Sequence, residues 1–154
     1  MKTFVKILVA IVVVVALCFG IYCLLPETSK MYVKGNIQYR TDDEAAKHVD
    51  QIKGMTISDG VTYGDALTAL CKSTAWYYEA GTESGNWTVT FYGTKATLDL
   101  TKEGVDALYT ERSLKMVFSV RNDSAVDITI TIGDDTLTGD AKTAALNRIA
   151  KAAQ

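Results

Sequence analysis

Between Ile7 and Leu25 the chain runs for nineteen residues without a charge, ILVAIVVVVALCFGIYCLL, and this stretch limits the fold more than any other. At a rise of about 1.5 Å per residue, a helix of that length spans roughly 28 Å, close to the ~30 Å hydrocarbon core of a bilayer. A helix satisfies its own backbone N–H and C=O groups, so the segment is stable in lipid without a partner. Lys2 and Lys6 precede it, Pro26 ends it, and Tyr22 sits where an amphipathic ring favours the membrane boundary. The reading is a short tail over 1–6 followed by a transmembrane signal anchor over 7–25, with the lipid bilayer as its partner.

The competing reading is a cleaved export signal, whose apolar stretch usually covers about 7 to 15 residues before a small-x-small site. The best such cut follows Gly20 and leaves Cys18 three positions back, a mediocre match. A lipoprotein cut ahead of Cys18 or Cys23 would put Leu17 or Tyr22 where a small residue is needed. Orientation is less constrained, because Lys2 and Lys6 on one side face Lys30, Lys34 and Arg40 on the other. The six-residue tail with two lysines resembles the start of an export signal. It places the N-terminus in the cytoplasm and the rest outside, as a single-pass protein of the plasma (inner) membrane.

Beyond Pro26 lie 128 residues, enough for one domain with one core. The whole chain carries a net −2 and its first 25 residues +2, which leaves −4 for the remainder. An acidic domain without a basic stripe lacks the phosphate-neutralising charge that nucleic-acid binding needs, so no nucleic-acid partner is expected. The same balance argues against a polybasic membrane-surface binder. Cys18 and Cys23 fall inside the apolar segment, so Cys71 stands alone in the domain and no intradomain disulfide or Cys-x-x-Cys motif is possible. Beside Leu67 and Leu70, Cys71 reads as a small buried hydrophobe.

Residues 26–40 read as a tether that turns into a short strand near Met31–Tyr39. The domain is then expected over 41–154. Thr41 with Glu44 three residues on forms a capping box, and Ala45, Val49 and Ile52 give a thin apolar stripe ahead of Gly54. Thr62 followed by Asp65 starts a second helix. In WYYEAGTESGNWTVTFYG, pairing Ala80 with Trp87 sets Tyr78 opposite Val89 and Trp76 opposite Phe91, so every large apolar group shares one face. In SLKMVFSVRNDSAVDITITI, Val120, Phe118 and Met116 likewise oppose Val126, Ile128 and Ile130. Between these hairpins KATLDL alternates as a separate middle strand, and a helical turn is expected over Gly104–Glu111. An alanine-rich helix with Asp140 near its start closes the chain. Strands grouped together with helices at either end predict an α+β domain. Its two layers are an antiparallel sheet of about five strands and two or three helices.

The residues VTYGDALTAL, Trp76, WTVTFYG and later LKMVFSV resemble a loose group of small bacterial exported or membrane-anchored α+β domains of unknown function. The resemblance implies a two-layer envelope domain and transfers no active-site residue.

Candidate chemistry is sparse. His48 is the sole histidine and reads as a solvated surface imidazole. Asp134, Asp135 and Asp140 depart from a calcium-loop spacing and read as a turn plus helix N-terminal charge. Asn86-Trp-Thr and Asn122-Asp-Ser match the glycosylation triplet at expected turns, which in a bacterial chain is coincidence. No catalytic residue, metal ligand or cofactor is assigned. The proposed pairing turns Tyr77 and Tyr92 outward, diagonal to each other across Thr90. Aromatics on a threonine-rich face suit contact with a peptide or glycan, against the plainer reading of cross-strand stabilisation. The functional expectation is a membrane-anchored, extracytoplasmic, non-enzymatic domain that binds or scaffolds another envelope component. A carboxylate-based envelope hydrolase and a small-ligand carrier or inhibitor are the alternatives.

Overall fold

A 23-residue helix, α1 (Lys2–Leu24), takes up the apolar segment. Its stretch Val5–Leu24, with mean hydropathy 3.1 and none of it buried, is long and apolar enough to cross a membrane. The computed structural model describes residues 2–25 and 27–154, with side chains over 5–25 and from 29 onward; Pro26, expected to end this helix, lies outside them. Residues up to Lys30 form one compact unit and those from Met31 a second. Within the first, the Lys30 ammonium donates to the Cys23 carbonyl at 2.9 Å. A cation at a helix C-terminus complements the carbonyls left without partners there.

The expected strand at Met31–Tyr39 is instead helical, part of α2 (Glu27–Thr41). Tyr32, Val33, Ile37 and Tyr39 favour a strand, but tertiary contacts override such propensities. Gly35 lets the helix lie directly on the edge of the sheet: a Cβ there would collide with the Trp76 carbonyl oxygen. One turn on, the Gln38 amide behaves like a peptide group. Its Nε2 donates to the Tyr78 carbonyl at 3.0 Å, and its Oε1 accepts from the Tyr78 N–H at 2.9 Å. The Tyr39 hydroxyl donates to Asp50 at 2.8 Å and ties the helix to its neighbour α3. An edge strand left open invites pairing with other chains, and a helix laid across it blocks that.

Because α2 runs through Thr41, the cap of α3 (Asp43–Gly54) moves to Asp42, whose carboxylate accepts from the Ala45 N–H at 3.0 Å. The Thr41 hydroxyl is spent on the Ile37 carbonyl of its own helix. Ala45, Val49 and Ile52 are buried, as their spacing predicts. A small ribbon of β1 (Thr56–Ser58) and β2 (Val61–Thr62) leads into α4 (Tyr63–Leu70). Thr62 caps α4, accepting from the Asp65 N–H and donating to its carboxylate.

The sheet is an antiparallel meander of five strands in sequence order. They are β3 (Ser73–Ala80), β4 (Trp87–Asp99), β5 (Leu108–Arg121), β6 (Ala125–Ile132) and β7 (Asp135–Leu137). Both expected registers hold: Trp76 opposes Phe91 and Tyr78 opposes Val89, while Phe118 opposes Ile128 and Met116 opposes Ile130. The fold is therefore α+β.

KATLDL is not a separate strand but the far half of β4, which continues through Gly93. Gly93 resembles a strand end in sequence, yet its hydrogen makes room for the Cys71 sulfur and the Phe91 ring. Two compensating bulges follow. Lys95 on β4 and Glu111 on β5 each adopt a left-handed backbone (φ 55° and 49°), and the register shifts once on each strand. The two side chains form an ion pair at 3.7 Å. The extra residue on β4 moves its inward set from Val89, Phe91 and Gly93 to Ala96 and Leu98, which are buried beyond the bulge. The helical turn expected over Gly104–Glu111 lies earlier, as a 3-10 turn over Leu100–Glu103 ended by Gly104 at φ 84°. Helix α5 (Gly139–Lys151) closes the chain. It buries Ala144, Ala145 and Ile149. The core lies between α3, α4, α5 and one face of the sheet, centred on Phe91, Phe118 and Leu67.

Candidate functional site

The opposite face of the sheet is built from the alternate residues of the same strands. Tyr77 on β3 stands directly across from Thr90 on β4, which is itself across from Val117 on β5 and then Thr129 on β6. Tyr92 lies two residues along β4, paired with Ala75 and Lys115. Tyr77, Thr90 and Tyr92 are thus brought together, with the tyrosines diagonal across the threonine. Thr90 is only 6% exposed because its neighbours on the face crowd it, whereas the tyrosines are half-buried. Two ammonium groups sit on the rings: Lys34 Nζ is 4.3 Å from the Tyr77 centroid and Lys115 Nζ 5.5 Å from that of Tyr92. Contacts of this kind fix ring orientation and contribute about 0.5–1 kcal/mol where exposed.

Around this centre the face carries Thr88, Ser119, Thr131 and Thr136. The Thr131 and Thr136 hydroxyls lie 3.2 Å apart. Such a surface offers hydroxyls and two aromatic rings on rigid, β-branched supports.

His48 departs from its expected place. Its side chain is 15% exposed, not solvated, and its ring lies against Tyr78 (centroids 5.0 Å apart) and Trp87 (4.3 Å). Those two rings are themselves 6.4 Å apart, well short of the spacing an intercalated ring would impose. The imidazole therefore lies across both from one side. The apolar stripe of α3 gave no hint of this, because the partners sit 30 and 39 positions away in the chain. His48 and Trp87 were each legible as residues, but their meeting was not.

Above His48 a cleft of about 500 Å³ opens between α3 and the turn joining β3 to β4. That turn is tied to the β5–β6 turn. The Asp123 N–H donates to Gly85 O at 2.9 Å, the Asn122 N–H to Asn86 Oδ1 at 3.1 Å, and the Trp87 indole N–H to Asp123 at 2.9 Å. Asn86 Nδ2 in turn donates to Glu83 at 3.0 Å. The first glycosylation triplet thus has its amide engaged on both sides.

The remaining candidates are placed as follows. Asp134 lies in the turn after β6, Asp135 in β7 and Asp140 in the first turn of α5. Among the described residues, no three His, Cys, Asp or Glu side chains gather in a way that could hold a metal ion. Burial raises the Cys71 thiol to about 11, which keeps it protonated and unreactive near neutral pH. Comparison of the chain with protein-family models, with curated proteins and with solved structures finds no match.

Proposed function

We propose that the protein is a membrane-anchored, extracytoplasmic, non-enzymatic domain that binds or scaffolds another component of the cell envelope. On this reading α1 is retained in the inner membrane with its N-terminus in the cytoplasm. Docking uses the sheet face centred on Thr90. The observation that carries the reading is the division of the sheet: one face holds the core, and the other presents two tyrosines among small hydroxyl residues. Tyrosine supplies large contact area at low conformational cost, and threonine loses little freedom because its χ1 is already restricted.

A photo-crosslinker at Thr129, in the full chain within its native membranes, tests this. Adducts that appear there and fade when Tyr77 and Tyr92 are replaced by serine support docking on this face. Equal adducts from the exposed Thr143 on α5, or none from Thr129, would overturn it. The anchor is tested separately by the mass of the mature chain, since a start at or beyond Ile21 would remove the tether.

A further inference from the structure

The cleft over His48 lies on the helix-bearing side of the sheet and is independent of the open face. Its floor is aromatic and its mouth is acidic. Glu44 on α3, Glu83 on the β3–β4 turn and Asp123 on the β5–β6 turn all line it, with Lys47 the one lysine or arginine in the lining. Three carboxylates from three separate segments thus meet Lys47 and the His48 imidazole, whose Nε2 lies 4.0 Å from Glu44.

What distinguishes this arrangement from scattered surface acids is how the carboxylates are held. The buried Tyr78 hydroxyl (7% exposed residue) donates to Glu44 at 3.2 Å, and the buried Trp87 indole (4%) donates to Asp123 at 2.9 Å. The Asn86 amide holds Glu83. Each carboxylate has therefore given one oxygen to a protein donor and retains acceptor capacity. Burial, above all, raises the pKa of the Tyr78 phenol, and Glu44, Asp42 and Asp123 act in the same direction. Beneath them, His48 Nδ1 is buried without a hydrogen-bond partner.

A negative field over an aromatic floor is the environment that stabilises an organic cation. A planar guanidinium suits it best, because its several N–H donors can reach carboxylates on different segments at once. Fixed acceptors lower the ordering cost that weakens ordinary exposed ion pairs. We infer that the cleft between α3 and the paired hairpin turns binds a guanidinium-bearing group, such as an arginine side chain of a peptide ligand.

The test uses the full chain in detergent micelles, labelled with ¹⁵N on its two tryptophans. Nα-acetyl-arginine amide is titrated in at constant ionic strength, and the uncharged Nα-acetyl-citrulline amide serves as control. The Trp87 indole resonance should shift saturably with the arginine derivative alone. Trp76, which does not line the cleft, should stay in place. Asp123→Asn keeps an oxygen for the Trp87 N–H and a residue type that tolerates its left-handed backbone (φ 54°), so the turn is preserved. It should weaken binding about fivefold, the effect of losing one partly ordered ion pair. Glu83→Gln should weaken it in the same direction. Equal shifts with citrulline, a response without saturation, or unchanged affinity in both variants would each overturn the assignment.

Discussion

The two faces of the sheet share strands, register and backbone, yet differ in every property that follows from side chains. Phe91 and Val89 point to the helices and are fully buried; Thr90 and Tyr92, each one residue away, point to the other side. On the covered face, specificity comes from shape, because each large side chain fills space between two layers. On the open face no second layer demands a given volume. Threonine, serine and tyrosine sit there because the strand tolerates them and because they leave hydroxyls and rings available. Core-forming and outward-facing side chains are thus separated by a single residue step along one strand.

Substitution along β4 gives the sharpest way to break this comparison. Phe91→Ala should cost about 3–5 kcal/mol, since a fully buried ring leaves a cavity that the layers close only in part. Denaturant unfolding of the detergent-solubilised chain measures it. A loss under 1 kcal/mol would mean that the covered face is not the core.

The next largest effect belongs to the edge rather than to either face. Gly35→Ala drives a methyl group into the Trp76 carbonyl, so α2 must lift from β3. A cost of about 1–3 kcal/mol is expected, typical of overpacking. Lifting the helix also releases the Tyr78 N–H from Gln38, so faster hydrogen exchange at that amide is the specific signature. Exchange unchanged at Tyr78 would show that α2 does not depend on this contact.

On the open face, replacing Tyr77 and Tyr92 together by serine should cost about 1–2 kcal/mol, the scale of two exposed cation–ring contacts with their cross-strand pairs. The same pair of substitutions should abolish crosslinking from Thr129. If stability falls as far as in Phe91→Ala, the two faces are not functionally separate.

One effect vanishes at neutral pH and is confined to the alkaline range. The Cys71 thiol is held up near 11 in the folded chain against an ordinary 9.0, so folding favours its protonated form. This contribution is complete below pH 9 and is lost as the pH rises through the folded value. Cys71→Ala should therefore lose less stability between pH 9 and pH 11 than the parent chain does. Parallel unfolding curves for the two over that interval would remove Cys71 as a source of the alkaline loss.

Much of this was legible from residues alone, and the reason differs by element. Both hairpin registers follow from alternation, because a slip of one residue would turn Trp76, Phe91 and Val89 out of the core together. The Thr62 cap was legible because its partner Asp65 is three residues away. The bulges at Lys95 and Glu111 were not, since neither residue type favours the left-handed region and only the pairing of two long strands calls for it. The tyrosine pair flanking Thr90 was found from the register, but the cleft was missed because it joins α3, one hairpin turn and Asp123 from another.

The amino-acid order by itself determined the long apolar helix, the α+β class, and which side of each strand faces the core, because these depend on periodicities within a few residues. Only the tertiary structure decided that 31–41 is a helix, that Gln38 stands in for a neighbouring strand at Tyr78, and that His48 lies on Trp87. Those outcomes rest on contacts between residues about forty positions apart. No local pattern encodes such contacts, since their energy exists only once both partners are in place.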